Sequence, residues 1–409
     1  MSRTFLALVF CAILSAVNSA AAQDLHAIAR IDPAESSISD RLLGGVSVKL
    51  RLSQPVPYRV FTLNDPKRLV IDFKEVDWSG FPAADILNTK AVQTVRFGIF
   101  RPGWSRMVLE LVHPMTVEIV EMDTKGSGLS ATLDIRLKNA SHTEFFEKVG
   151  APDDPDWTLA SIQPAPVSPA RQTGDRPLMI ALDPGHGGID PGAERQDHKE
   201  KQLVLLFARE LKEALILSGR YTADMTRSED EFVSLPERIT RARALGADVF
   251  ISLHADALES GNASGTTVYT LSAKASDEAG DFLAAQHDRS DLLAGVDLSH
   301  QDDQIATVLM DLARVETDAR SDALAELVVD GIAGSVGHLR KRAHLSAGFT
   351  VLKAPDIPSI LVELGFMSSK NDLNNLLDKD WRAKVIAGII SALDEWAIQD
   401  AAQAQLLRK

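Results

Sequence analysis

Two histidines and two glutamates in this chain sit in settings that could support hydrolytic chemistry. Ala181-Leu182-Asp183-Pro184-Gly185-His186-Gly187-Gly188 places His186 just after an apolar run, among three glycines. Ser252-Leu253-His254-Ala255-Asp256 places His254 at the end of a second run, and Leu361-Val362-Glu363-Leu364-Gly365-Phe366 closes a third with Glu363. Glu200, within Lys199-Glu200-Lys201, opens a long helical stretch, where a carboxylate suits the positive helix end. His186, His254 and Glu200 together form a three-ligand zinc set with the fourth position left for water or substrate. Zinc held this way lowers the pKa of bound water toward ~7 and polarises a carbonyl. A separate carboxylate must then move the proton, and Glu363 suits that task because burial in an apolar strand raises its pKa. Each residue alone has a plainer reading, as a turn residue, a core histidine, a helix-start carboxylate or half of an ion pair. His198 competes with Glu200 for the ligand role.

The elements around these residues alternate. Residues 178–182, 221–226, 248–253, 265–271, 349–352 and 359–362 read as strands, and 201–217, 235–245 and 372–396 as helices. The expected fold is therefore α/β, a mostly parallel sheet flanked by helices. In open sheets of this kind ligands bind beyond the carboxyl ends of the strands, so residues far apart in sequence can converge. No glycine-rich phosphate loop of the Walker type is present.

A different pattern precedes this region. Val46-Ser47-Val48-Lys49-Leu50-Arg51-Leu52 and Ala131-Thr132-Leu133-Asp134-Ile135-Arg136-Leu137 alternate with period two, and turn signals such as Asn64-Asp65-Pro66 separate further short runs. About seven short strands are expected, making a small all-β sandwich or open barrel. Of the chain's 18 prolines, Pro152, Pro155, Pro164, Pro166, Pro169 and Pro177 crowd one stretch, which reads as a semi-extended tether. The organisation expected is thus a targeting segment at 1–22, a β-domain at 23–140, a linker at 141–177 and an α/β domain at 178–409.

With 409 residues, 43 Lys plus Arg against 57 Asp plus Glu and a net charge of −14, the chain is a poor candidate for binding nucleic acid. Its start carries Arg3, an apolar run from Phe5 to Val17 and Ala20-Ala21-Ala22, the layout of a cleaved secretory signal. That run of about 14 residues is short of the ~20 a transmembrane helix requires. Cleavage removes Cys11, the only cysteine, and leaves a thiol-free mature chain with no expected transmembrane segment, suited to an oxidising compartment.

Taken in order, His186-Gly187-Gly188-Ile189-Asp190-Pro191-Gly192-Ala193, Glu200-Lys201, Thr226-Arg227, Ser234-Leu235 before Arg238, Ser252-Leu253-His254-Ala255-Asp256 and Leu361-Val362-Glu363-Leu364-Gly365-Phe366 resemble the zinc-dependent N-acetylmuramoyl-L-alanine amidases of the amidase-3 family. The resemblance implies Zn²⁺ on His186, Glu200 and His254, with Glu363 catalytic. It also implies cleavage of the amide joining the lactyl group of N-acetylmuramic acid to L-alanine in peptidoglycan. One departure is visible: Ser368 is followed by Ser369, where the family often has Ser-Asn. The first region, through Asn64-Asp65-Pro66-Lys67-Arg68-Leu69-Val70-Ile71-Asp72-Phe73, resembles the AMIN domain of cell-division amidases. That implies peptidoglycan binding and localisation to the septum, and with the secretory signal the expectation is a periplasmic enzyme of daughter-cell separation. The competing readings are a catalytically silent wall-binding scaffold and a zinc peptidase cutting within the stem.

Residues 286–320 form an insertion with acids Asp288, Asp291, Asp297, Asp302, Asp303, Asp311, Glu316 and Asp318 and a helical apolar stripe of Ile305, Val308, Leu309, Leu312 and Val315. The plain reading is a surface hairpin with a solvated acidic face. The resemblance implies instead a regulatory segment covering the zinc cleft until a LytM-type activator displaces it. Asp288 and Asp291 are the first candidates to reach the metal, with His287 behind them.

Overall fold

The computed structural model describes residues 29–407 apart from 43, 75, 79–80, 82, 102, 125–129, 152–170, 259–262, 295–306 and 338. The expected signal segment and most of the proline-rich stretch lie outside the described residues. The side chains of the apolar stripe at Ile305, Val308, Leu309, Leu312 and Val315 lie outside them too.

Period-two alternation produces the N-terminal domain. Strands β1 (Ala29–Asp40), β2 (Val46–Leu52), β9 (Met115–Asp123) and β10 (Ala131–Asn139) form one sheet, with β5 (Val76–Asp77) and β6 (Leu87–Asn88) paired to β1. Strands β3 (Tyr58–Leu63), β4 (Arg68–Lys74), β8 (Trp104–Leu111) and β7 (Val92–Arg101) form an antiparallel second sheet in that order. Alternate residues of both sheets, among them Val48, Leu50, Leu133 and Ile135 against Leu69, Ile71, Phe73 and Leu109, bury together as the sandwich core. The short helix His142–Phe146 follows, capped by Ser141 and anchored by buried Phe145, and Gly150 N–H reaches Thr62 C=O. Ordered structure packed on the sandwich therefore runs to Gly150.

The second domain is a six-stranded sheet in the order β14 (Tyr221–Met225), β11 (Leu178–Pro184), β15 (Val249–His254), β18 (Ser359–Glu363), β16 (Thr267–Leu271) and β17 (His344–Ala347). Every pair is parallel except β16 with β18. Helices Glu200–Leu217, Thr307–Val336 and Lys379–Leu407 cover one face through Val204, Phe207, Ile332, Ile389 and Trp396. Helices Leu235–Ala244 and Glu278–Leu293 lie over the other, above Phe250, Tyr269, Leu345 and Leu361.

Two expectations need correction. Residues 349–352 are not a strand: Thr350–Leu352 is a single 3-10 turn, with Phe349, Val351 and Leu352 all buried. A short apolar run has no periodicity that separates a strand from other buried segments. The stretch 372–396 is not one helix. It divides into Lys370–Leu377 and Lys379–Leu407 at Asp378, whose extended backbone (ψ 116°) ends the first. Strand β17, at the sheet edge, was not expected.

The strand ends are tied together by one buried carboxylate. Asp183, at the end of β11, accepts from Thr226 Oγ1, from Ser252 Oγ at 2.8 Å and from Arg238 Nη1 at 2.8 Å. Burial works to raise its pKa, but Arg238 and the hydroxyls hold it below the ordinary value. Arg238 is itself 3% exposed. Asp183→Ala should strand that guanidinium without a counter-charge and cost about 3–5 kcal/mol. The cost is read as a lowered urea midpoint, and a loss below about 1 kcal/mol would show that carbonyl partners alone satisfy Arg238.

Candidate metal and hydrolytic site

Parallel pairing in register sets the site. β11 and β15 align Pro184 with Leu253, and β15 and β18 align His254 with Glu363, so the loop bearing His186 leaves the sheet beside both. That loop is shaped by two buried arginines. Arg227 donates to the carbonyls of Pro184, Gly185 and Lys201, and Arg238 to those of Pro184 and His186. Burial pulls the Arg227 pKa down to about 10. With its carbonyls so held, the loop carries His186 in the left-handed region at φ 58°. Two glycines leave room for the imidazoles. A Cβ on Gly185 would stand 2.2 Å from the His254 ring, and one on Gly192 would stand 2.6 Å from His186 Cδ2.

Glu200, at the start of its helix, lies between the two rings. Its Oε2 is 3.1 Å from His186 Nε2 and its Oε1 is 3.1 Å from His254 Nδ1. Backbone N–H groups of Ala193 and Ala255 also donate to the two oxygens. Ligand atoms about 2.0–2.2 Å from a tetrahedral ion are separated by roughly 3.3–3.6 Å, so each contact is close to that scale. The two contacts run to different oxygens of Glu200, and among the groups able to share one ion Glu200 falls with His186 and Asp256, and His254 with His186 and His287. His186 Nδ1 is bonded to Asp190 Oδ2 at 2.6 Å, which fixes the ring and leaves Nε2 facing Glu200 Oε2 without a well-aligned hydrogen bond. Metal-bound histidines characteristically carry such an outer carboxylate.

A second group adjoins the first. Glu363 is fully buried, accepts from Asp256 N–H at 3.2 Å through Oε2, and has no partner at Oε1. Asp256 Oδ2 is 2.6 Å from His287 Nε2. His287, from helix Glu278–Leu293, stacks on His254 with ring centroids 4.2 Å apart, and His186, His254 and His287 each offer a ligand atom within 4.8 Å of the others. The set His254, Asp256, His287 and Glu363 satisfies the same limit.

The environment splits these groups. Burial, then the neighbouring carboxylates Asp256 and Glu200, push Glu363 well above the usual carboxylate range. Burial also works to raise Glu200, but His186 and His254 overcome it and hold it well below that range. Burial and the neighbouring His287 lower His254 to about 4. For His186 burial works downward, yet Glu200 and Asp190 carry it well above 6.5. One glutamate is suited to stay ionised and the other to exchange a proton.

The structure thus brings together His186, Glu200, His254 and Glu363, and adds His287. His198 is not among them; it pairs with Arg195 in the small ribbon β12 (Glu194–Arg195) and β13 (His198–Lys199). The order expected for the insertion is inverted. Asp291 turns instead to Leu235 N–H, at 3.0 and 3.2 Å, and burial raises its pKa to about 7. Asp288 belongs to none of the candidate metal groups. Asp190 and Asp256, bonded to His186 and His287, lie four residues after His186 and two after His254, and that proximity is the only signal of them in the sequence.

The fold and site define an α/β protein with a buried His/Asp/Glu cluster that could hold a metal, and comparison with known proteins narrows it. The model of the N-acetylmuramoyl-L-alanine amidase family Amidase_3 matches residues 180–395 and that of the AMIN domain residues 40–133. The chain belongs to that amidase family, and it is an N-acetylmuramoyl-L-alanine amidase preceded by an AMIN domain. It is 32% identical over 392 residues to the N-acetylmuramoyl-L-alanine amidase AmiC of Escherichia coli O6:H1, covering 93% of this chain and 91% of that one. It is 32% identical over 368 residues to AmiC of Neisseria meningitidis serogroup B, covering 85% and 86%. An N-acetylmuramoyl-L-alanine amidase structure from Clostridium difficile 630 aligns with 54% of this chain and 97% of its own, at 23% identity and a TM-score of 0.41.

If His186, Glu200 and His254 together hold a metal, removing either imidazole leaves two protein ligands. His186→Ala and His254→Ala should lose stoichiometric divalent metal after dialysis, while His198→Ala keeps it, as read by elemental analysis. Full metal content in His254→Ala would reassign the ligands to the Asp256 and Glu363 side of the cluster.

Proposed function

We propose that this amidase is zinc-dependent and hydrolyses the amide between the lactyl group of N-acetylmuramic acid and L-alanine of the peptidoglycan stem. Its site of action is the periplasm during daughter-cell separation. In this reading residues 1–22 are a cleaved signal, the sandwich domain, ordered to Gly150, binds the wall, the proline-rich stretch after it is a tether and 178–409 are the catalytic domain. Among the described residues no helix is long and apolar enough to cross a membrane.

His186, Glu200 and His254 would hold the zinc, which when bound would polarise the amide carbonyl and acidify water. Asp190 keeps the His186 ring in place through Nδ1. Glu363 Oε1, unpartnered and on a carboxyl pushed upward by burial, takes the proton of the attacking water and passes it to the departing L-alanine nitrogen.

The arrangement is also autoinhibited in this proposal. The observation behind it is burial: His186 and His254 are each 5% exposed and Glu363 is 0% exposed, which leaves no access for a polymer. Helix Glu278–Leu293 contributes to that closure, with His287 stacked on His254 and Ser290 and Asp291 beside it along the remaining cavity. A LytM-type activator would displace this helix.

Digesting purified peptidoglycan with the zinc-loaded chain and analysing the ends by mass spectrometry tests the activity. Intact stem peptides with a free L-alanine amine are expected, whereas cuts within the stem would make it a peptidase. Glu363→Gln should keep zinc and lose roughly 10²–10⁴-fold in turnover. Loss of zinc in that variant would make Glu363 a ligand instead. His287→Ala should keep zinc and raise unassisted hydrolysis by about tenfold, and an unchanged rate would remove the helix from regulation.

A further inference from the structure

The outer face of the second N-terminal sheet is as buried as its inner face. Along β4 and β8 every residue from Arg68 to Phe73 and from Ser105 to Leu111 is buried. The inner residues serve the sandwich core. On the outer side, Val70 and Val108 join Phe61 and Leu63 in a cluster with Ile189, Phe232 and Ala294 of the catalytic domain. Ile189 lies three residues after His186, and Ala294 directly follows helix Glu278–Leu293.

Polar contacts reach the same helix. Arg289 Nη2 donates to Glu110 Oε1 at 2.7 Å, and the Glu110 side chain is 5% exposed. Arg106 Nη1 donates to the Ala294 carbonyl at 3.2 Å, while its Nη2 is held by Asp72 Oδ2 at 2.9 Å. A cation there meets the negative end of the helix and one of its open carbonyls. The Arg106 guanidinium also lies 3.6 Å from the Phe100 ring centroid, and Phe100 stacks on Phe232 at 5.8 Å and 16°.

Strand β7 meets the metal-ligand loop in parallel with this. Arg96 Nη1 is 3.3 Å from Asp190 Oδ1, the carboxylate that orients His186. A Cβ on Gly98 would stand 2.8 Å from Ile189 N, and one on Gly188 would stand 2.0 Å from Ile99 C=O, so the backbones touch where both sides are glycine.

We infer that the outer face of sheet β3-β4-β8-β7 is the docking surface for helix Glu278–Leu293, and that the N-terminal domain thereby holds that helix over the metal site. The surface fits an amphipathic helix end: an apolar patch to receive Ala294, an arginine for the terminal carbonyl and a buried glutamate for Arg289. Opening the cleft then requires this face to let go, so a ligand that competes for the face would release the enzyme. The functional half of the inference rests on the proposal that the helix closes the site; the contact itself does not.

The test uses the full-length, metal-loaded chain with no added partner. Arg289→Glu and Glu110→Lys should each speed amide hydrogen exchange across 278–294 and raise hydrolysis of purified peptidoglycan by roughly 3–10-fold. The combined swap should return both toward the starting values. Phe100→Ala, which leaves the ion pair intact and removes the stacked ring, should act in the same direction. Unchanged exchange in the helix for both Phe100→Ala and Arg289→Glu overturns the docking surface, as does a swap that restores nothing. Faster exchange without faster hydrolysis upholds the surface and overturns the helix as a lid.

Discussion

The Asp183 carboxylate, sealed between Arg238, Thr226 and Ser252, is the interaction on which the site depends. It joins the ends of β11 and β15 to the segment after β14. A charge so deep in the protein is tolerable only with a full set of partners. Arg238 is fixed by that carboxylate and donates further to the carbonyls of Pro184, His186 and Val233, while Arg227 takes those of Pro184 and Gly185. The loop between β11 and Asp190 is therefore shaped from beneath, through its backbone. His186 can then adopt a left-handed conformation that a histidine rarely takes.

On that base, identical side chains acquire different properties. Glu200 and Glu363 are both fully buried, and burial raises both. Glu200 sits between two imidazoles and is driven down, whereas Glu363 faces Asp256 and is driven further up. The division between a carboxylate that holds charge and one that trades a proton is thus made by neighbours, not by residue type. The cost of gathering so many ionisable groups in a dry site is offset only when each has a counter-charge or ligand, which is the situation a bound cation completes.

The N-terminal domain enters the same account. A sandwich strand normally alternates between an apolar inner face and a solvated outer one. β4 and β8 instead bury Arg68, Asp72, Arg106 and Glu110 on the outer side, with Val70 and Val108 between them. Arg68 is held there by the Pro66 and Asn64 carbonyls and Asp72 by Arg59 and Arg106, while Arg106 and Glu110 partner the second domain at Ala294 and Arg289. The two domains meet beside the loop that carries His186 and are not simply strung along a tether.

Local sequence determined a good deal of this. The period-two runs at 46–52 and 131–137 became β2 and β10, and the helical spacing of 201–217 became a helix. Placing His186, His254 and Glu363 after apolar runs was enough to expect convergence, because parallel strands in register deliver their ends to one edge. What the sequence could not decide was anything set by contacts between distant segments. The apolar run at 349–352 lacked the length to separate turn from strand, and the break at Asp378 was hidden in continuous helical spacing. In the insertion, composition favoured Asp288 and Asp291, yet helix rotation and docking turned His287 to the imidazoles and Asp291 to Leu235. Val70 and Val108 looked like ordinary strand residues until a second domain covered them. Periodicity states which face of an element is apolar, but only the assembled fold decides what that face meets.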